Sequence, residues 1–168
     1  MILKSAIINT KLGKIVIIAD ENYIYLLEFT DLHNLESEIE ILKFHTKSKI
    51  TTGRNDIIDL LENEIRQYFN GKLDKFTVPL ELIGTEFQQR VWNELLQIPK
   101  GITVSYIDIA IKIGKLKSFR AVANANASNK IAIIIPCHRV INANGNLCGY
   151  ASGIKRKQWL INHESNLI

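Results

Sequence analysis

Cysteine is scarce in this sequence. The 168 residues include two, Cys137 and Cys148, too few for the network of disulfides that holds small secreted domains together. The two could pair with each other, but the sequence has no export signal, so free thiols are expected. It also has no apolar run long enough to span a membrane and no low-complexity segment. We therefore expect a soluble, globular, cytoplasmic protein.

Acidic and basic side chains are divided unevenly along the chain. Residues 1–84 hold ten Lys and Arg against thirteen Asp and Glu, a net charge of −3, whereas residues 85–168 hold eleven against four, a net charge of +7. A basic half suits a polyanion such as nucleic acid, although a merely solvated basic surface explains the charge equally well. We place the boundary between two domains, 1–84 and 85–168, where the charge changes sign.

The N-terminal domain is predicted to be an α+β support without chemistry of its own. Segments rich in Ile, Val and Tyr, separated by turn residues, predict an antiparallel meander. These strands are Ile2–Ile8, Lys14–Ala19 and Tyr23–Phe29. Helical spacing of apolar residues predicts helices at Leu35–Leu42 and Arg54–Asn70, with a further strand at Phe44–Ile50 between them.

The C-terminal domain is predicted to be mainly helical. Two pairs of residues have the spacing of a capping box, which begins a helix; they are Thr85 with Gln88 and Ser105 with Asp108. The second of these helices ends at Gly114, and another is predicted from Phe119 to about Ala127. Two short helices joined by a glycine-containing turn are the pattern of a DNA-binding helix-turn-helix. The many alanines of the second helix favour either close approach to a surface or simply helix formation.

A final helix is predicted from Ile154 to about Glu164. Its first turn contains three consecutive cations, Lys155, Arg156 and Lys157. Because cations at this end oppose the helix dipole, we expect them to face phosphates.

The segment Ile131–Val140 carries the candidate chemistry. Four isoleucines within residues 131–135 predict a strand buried on both faces, which Pro136 ends. Cys137, His138 and Arg139 follow directly. A neighbouring cation favours the thiolate form of cysteine, and a base within reach is the signature of an activated nucleophile. The alternative at this point is an inert, buried cysteine.

Together these motifs resemble the O6-alkylguanine-DNA alkyltransferases, which repair methylated guanine, and in particular the alkyltransferase domain of bacterial adaptive-response regulators. The resemblance covers residues 84–164. Matching segments are Gly-Thr-Glu-Phe-Gln (84–88), Val-Trp (91–92), Ile-Pro-Lys-Gly (98–101), Ser-Tyr (105–106), Ile-Gly (113–114), Arg-Ala-Val (120–122), Pro-Cys-His-Arg-Val (136–140) and Gly-Tyr (149–150). The family fold is α+β: a small ribonuclease H-like antiparallel sheet with a helix, followed by a mainly helical domain with the helix-turn-helix.

The resemblance also implies a role for each matched residue. For catalysis it implies Cys137 as the alkyl acceptor, His138 as its water-linked base, Glu164 as the carboxylate that orients His138, Tyr106 as a hydrogen-bond donor to the leaving guanine, and Asn129 as the bridge between recognition helix and active-site segment. For DNA binding it implies Arg120, which fills the space of the flipped base, with Tyr106, Ser118, Ala121 and Ala123. The implied substrate pocket is lined by Trp92, Val140, Tyr150 and Ala151.

The implied function is a single, irreversible transfer of a methyl group from O6-methylguanine in duplex DNA, with O4-methylthymine as a further candidate substrate. The protein would bind the minor groove as a monomer and need no cofactor. Some relatives bind zinc through N-terminal Cys and His, but residues 1–84 contain no cysteine, so no metal is expected. Three alternatives stay open: a protein that flags damage without removing it, a transcription factor, and a thiol hydrolase. The acceptor cysteine argues against the first, and the basic half against the last.

Overall fold

The computed structural model describes residues 1–147 and 149–166. Contacts divide the chain into two compact units, Met1–Ile83 and Gly84–Ile168. Within the described ranges, none of the helices combines the length and apolar character needed to cross a bilayer. Cys148, expected to be a free thiol, lies outside the described residues.

The first unit is a four-stranded sheet with two helices. Its elements are β1 (Ile2–Thr10), β2 (Gly13–Ala19), β3 (Ile24–Phe29), α1 (Leu35–Thr46), β4 (Lys49–Thr52) and α2 (Asp56–Phe69). The strand order is β3-β2-β1-β4. This confirms the predicted α+β class and the antiparallel meander of β1, β2 and β3.

Two details of this unit differ from the prediction. Strand β4 is parallel to β1, because α1 returns the chain to the end of the sheet from which β1 starts. Helix α1 also extends to Thr46, so Phe44 is helical and the strand begins at Lys49. The helix ends at Lys47, which takes a left-handed conformation with φ of 50°. That position usually carries glycine, so no residue in the sequence signals the end of the helix.

The second unit is mainly helical, as predicted. Its elements are α3 (Glu86–Leu95), β5 (Val104–Ser105), α4 (Tyr106–Lys112), α5 (Phe119–Ala127), β6 (Val140–Ile141) and α6 (Ile154–Glu164), with 3-10 turns at Leu116–Ser118 and Cys137–Arg139. Both predicted capping boxes are present, at the starts of α3 and α4. The short strands β5 and β6 pair in parallel and bring the chain after Cys137 beside the start of α4.

The segment before Cys137 is buried, but the prediction of a strand there is wrong. Residues 132–135 form tight turns, and each residue from 131 to 135 is at most 7% exposed. The amide of Ile135 donates to Ile131 O, and that of Ile134 to Ala132 O. Ile133 has φ of 71°, a left-handed conformation that a β-branched side chain rarely adopts. A short apolar run predicts burial, whereas its backbone path is set by the surrounding structure.

Candidate active site

Cys137 lies at the start of the 3-10 turn that follows Pro136, with 8% of its surface exposed. Its amide donates to Ile135 O at 2.8 Å. Its sulfur accepts a hydrogen bond from Asn129 Nδ2 at 3.3 Å, and its carbonyl oxygen accepts one from Asn126 Nδ2, also at 3.3 Å. A hydrogen bond donated to sulfur stabilises the thiolate, which is the nucleophilic form.

Asn129 organises the turn that presents this sulfur. Its Nδ2 also lies within hydrogen-bond distance of Ile131 O at 3.2 Å and Ile135 O at 3.0 Å, and its Oδ1 accepts from the amide of Ile131 at 2.9 Å. Asn129 therefore satisfies backbone groups of Ile131 and Ile135, which helps to explain how the turns that follow Ile131 can be buried. The structure brings Asn129 to Cys137, as the predicted bridging role requires.

His138 and Glu164 form a buried pair at the other side of the 3-10 turn. His138 Nε2 is 2.7 Å from Glu164 Oε1, and His138 is fully buried. Arg139 completes the cluster: its Nε is 2.8 Å from Glu164 Oε2 and its Nη2 is 2.9 Å from Oε1. Its Nη1 donates to Ile98 O at 2.6 Å. This two-pronged geometry fixes the carboxylate, which in turn fixes the imidazole ring.

The electrostatics of this cluster set the charge of each member. Burial is the largest effect on His138 and lowers its pKa below the ordinary value. The hydrogen bond and charge of Glu164 raise this pKa, but by less, and the charges of Arg139 and Lys157 lower it further. Burial would raise the pKa of Glu164, but the hydrogen bonds from His138 and Arg139 and the charge of the Arg139 guanidinium hold it well below its usual range. Near neutral pH the carboxylate is therefore ionised and the imidazole neutral.

The tautomer of His138 follows from these charges. A neutral ring beside an ionised carboxylate carries its proton on Nε2, where it donates to Glu164. Nδ1 is then a lone-pair acceptor, and it has no hydrogen-bond partner among residues 1–147 and 149–166. His138 can thus take up a proton at Nδ1. The sequence predicted that a neighbouring cation would activate the thiol. In the folded chain His138 is neutral and the Arg139 guanidinium is bonded to Glu164, so His138 can act on the thiol as a base but not as a cation.

Lys157 does not face phosphates as the sequence predicted. It is fully buried, and its Nζ donates to Val140 O at 2.6 Å. The same Nζ lies 5.9 Å from the ring centroid of Tyr106, which is itself buried at the start of α4. Lys155 is exposed. Lys157 shares a helix face with buried Leu160 and Glu164, so helical spacing was a signal that could have placed it inside.

The predicted pocket residues differ in their surroundings. Val140 and Tyr150 are buried, whereas Ala151 is exposed. Trp92 is buried in α3, and its indole N–H donates to Ala125 O of α5 at 2.8 Å. A Cβ on Gly84 would lie only 2.5 Å from the Trp92 ring. These contacts give Trp92 a part in packing α3 against α5, and its place in the pocket stays a prediction.

Helix α5 and the 3-10 turn before it carry four of the predicted DNA-contacting residues, and the fifth, Tyr106, begins α4. Arg120 and Ala121 are exposed, and Ser118 and Ala123 are half-buried. The opposite face packs inward through Val122, Ala125 and Asn126. The Arg120 guanidinium carbon lies 5.9 Å from the centroid of the Phe119 ring. An exposed arginine beside small side chains can approach a nucleic acid closely.

Metal ligands are not grouped in the part of the chain that is described: no cluster of three or more His, Cys, Asp or Glu could hold an ion there. The site instead combines a buried thiol, a neutral histidine and an ionised carboxylate. Carried on a helix-turn-helix unit, it defines the class as DNA-binding proteins with a cysteine nucleophile.

Comparisons with known proteins then identify the family. Residues 3–82 match the ribonuclease-like domain of 6-O-methylguanine DNA methyltransferase, and residues 86–166 match its DNA binding domain. The chain belongs to the 6-O-methylguanine DNA methyltransferase family. This confirms the resemblance and extends it to the N-terminal half, where no motif had pointed to it.

Individual relatives support the assignment over nearly the whole chain. A methylated-DNA–protein-cysteine methyltransferase of Methanosarcina mazei is 48% identical over 128 residues, 74% of this chain and 81% of that protein. A probable enzyme of the same name from Acanthamoeba polyphaga mimivirus is 42% identical, over 96% of this chain and 97% of its own. The crystal structure of Mycobacterium tuberculosis OGT in complex with DNA has a TM-score of 0.83 and 36% identity, covering 99% of this chain and 94% of that one.

Proposed function

We propose that Cys137 is the residue that accepts the alkyl group. The protein is a methylated-DNA–protein-cysteine methyltransferase that repairs DNA by alkyl transfer to its own cysteine. The observation that carries the assignment to Cys137 is its sulfur, hydrogen-bonded by Asn129 beside the neutral His138 of the Glu164 pair. This arrangement supplies both a stabilised thiolate and a place for the thiol proton.

In the proposed reaction, the sulfur of Cys137 attacks the methyl carbon of O6-methylguanine. The S–C bond forms as the C–O6 bond breaks, and the bonding electron pair moves to guanine. His138 takes the thiol proton at Nδ1 through a bridging water. A proton is then passed from the site to the guanine anion, which becomes neutral guanine, and His138 returns to its neutral form. Tyr106 donates a hydrogen bond that stabilises the charge developing on the purine. The resulting thioether has no ready leaving route, so each molecule reacts once and needs no cofactor.

For DNA binding, we propose that α5 lies in the minor groove. The reacting atom is buried in a base stack, so the nucleotide must be extruded into the protein. Arg120, exposed near the start of α5, would fill the vacated space and offset part of the unstacking cost. Ser118, Ala121 and Ala123 would allow close approach to the groove. One cysteine and one helix suffice for the reaction, so we further propose that the protein acts as a monomer. We also propose a cytoplasmic location, in keeping with its DNA substrate.

Intact mass spectrometry tests this proposal directly. After incubation with a duplex carrying one O6-methylguanine, we expect the mass to rise by one methyl group, saturating at one per protein and mapping to Cys137. Cys137→Ala should gain no methyl yet bind the duplex, because only the sulfur is removed. A duplex with O4-methylthymine, measured alongside, defines the substrate range. Methylation of another residue, or transfer by the Cys137→Ala variant, would refute the assignment.

A further inference from the structure

Asn126 is a buried polar residue in the last turn of α5. It is 2% exposed, and its Nδ2 donates to the carbonyl oxygen of Cys137 at 3.3 Å. The orientation of the amide follows from this contact, because a carbonyl can only accept a hydrogen bond and must face the N–H side of the asparagine. The helix that presents Arg120 is therefore bonded to the backbone of the reactive cysteine.

Asn126 is poorly explained as a stabilising residue. Asparagine is disfavoured inside helices because its side chain competes for backbone hydrogen bonds. Its Oδ1 is buried and has no hydrogen-bond partner within the described ranges, 1–147 and 149–166. A buried polar atom in this state is costly and calls for a specific reason. Asn124, two residues earlier, is exposed and bears no such cost.

We infer that Asn126 is a positioning residue for methyl transfer, which couples the DNA-contacting helix to the acceptor cysteine. Asn126 holds Cys137 at its carbonyl, and Asn129 holds it at its sulfur. Both asparagines belong to α5 or its immediate continuation. The inference rests on the proposed function, in which α5 anchors the duplex and Cys137 attacks the extruded base.

The coupling has a specific kinetic consequence. In duplex DNA the target base is delivered by the strand that α5 binds, so the distance from sulfur to methyl carbon depends on the link between α5 and Cys137. Free O6-methylguanine is not anchored by α5 and can settle against the sulfur independently. Loss of Asn126 should therefore slow the reaction with duplex DNA and spare the reaction with the free base.

The test compares Asn126→Leu with the wild type. Leucine has a similar volume and removes both the donor and the unpartnered oxygen, so the thermal midpoint should not fall. With saturating duplex, we expect the single-turnover rate constant to drop by about tenfold, the kinetic value of one neutral hydrogen bond. The Kd for the duplex and the rate with free O6-methylguanine should be unchanged. Asn126→Ala, which removes the donor without adding apolar volume, is measured in parallel.

Ser128→Ala is the matched control. Ser128 ends the same helix, donates to Ala125 O at 2.8 Å and lies 3.2 Å from Gln88 Nε2. Its loss loosens the end of α5 without removing a bond to Cys137, so the rate with duplex should be that of the wild type. Equal losses of Asn126→Leu on duplex and free base, or a wild-type rate with duplex, would overturn the inference. Failure of the proposed function would look different, since the wild type itself would then gain no methyl at Cys137.

Discussion

At the scale of single residues, the charge of the His138–Glu164 pair determines what the thiol can do. An ionised carboxylate beside a neutral imidazole leaves Nδ1 of His138 ready to accept a proton. A protonated imidazole would have no such capacity. Burial, which lowers the pKa of His138, therefore keeps the base available at neutral pH.

The same shift predicts how stability depends on pH. The pKa of His138 is lower in the folded chain, so below about pH 6.5 the unfolded chain takes up a proton that the folded chain refuses. The contribution of His138 to stability is thus complete above that pH and is lost as the pH falls. Urea denaturation should show the free energy of unfolding falling as the pH is lowered below about 6.5.

His138→Gln should remove that part of the pH dependence, because glutamine does not titrate. The control is His33→Gln, the same substitution at an exposed position in a loop. An unchanged profile in His138→Gln would contradict the assigned charge state. Glu164, whose pKa is also lowered, adds a further loss only at more acidic pH, below about 4.5.

Residue by residue, the sequence located the reactive segment but not all of its support. Cys137, His138 and Arg139 are adjacent, so their proximity needed no fold. Asn126 was missed because an inward-facing asparagine has the same local signal as exposed Asn124. Lys157 was assigned to the surface by its charge, although its helical register places it inside.

At the scale of elements, features that depend on local sequence could be predicted, whereas features that depend on tertiary contacts could not. Capping boxes act within four residues, and both of those predicted are present. The turns of residues 132–135 depend instead on Asn129 and on a left-handed Ile133, neither of which an apolar run encodes. The end of α1 at Lys47 was unpredictable for a similar reason, since a lysine holds a conformation that normally marks glycine.

Helix α5 should promote extrusion of the target base, because it places Arg120 where the base leaves the stack. We expect Arg120→Ala to slow methyl transfer from duplex DNA by at least about tenfold, since unstacking a base costs a few kcal/mol. Transfer from free O6-methylguanine, which requires no extrusion, should keep its rate. Single-turnover kinetics on the two substrates measures the difference.

Arg120→Lys separates stacking from charge. Lysine keeps the positive charge but not the planar group, so it should be impaired nearly as much as alanine. A wild-type rate for Arg120→Lys would reduce the role of Arg120 to phosphate attraction. Equal losses on duplex and free base would remove the extrusion role altogether.

At the scale of the whole molecule, the proposed reaction should change the stability of the chain that carries it out. The sulfur of Cys137 is buried and lies 3.3 Å from the Asn129 amide. A methyl group on that sulfur adds volume to a packed site and turns the sulfur that accepts from Asn129 into a thioether, a weak acceptor. Overpacking of this kind costs about 1–3 kcal/mol.

Differential scanning calorimetry of the protein before and after reaction would show this cost. We expect the methylated protein to melt several degrees lower than the unreacted one. The control is protein incubated with the same duplex lacking the methyl group and then freed of DNA, which should melt as the untreated sample. An unchanged Tm in the fully methylated protein would mean that the pocket already has room for the product.

The burial of Cys137 has one more consequence. With 8% of its surface exposed, the thiol is shielded from oxidants and from alkylating agents in solution. On the proposed mechanism, the methyl group comes from an O6-methylguanine that fits the site, which duplex DNA delivers by extruding the base. Each methylated chain then corresponds to one lesion removed. The methylated fraction of the protein in a cell therefore reports the number of past repair events, and the unmethylated fraction reports how many more lesions can be repaired.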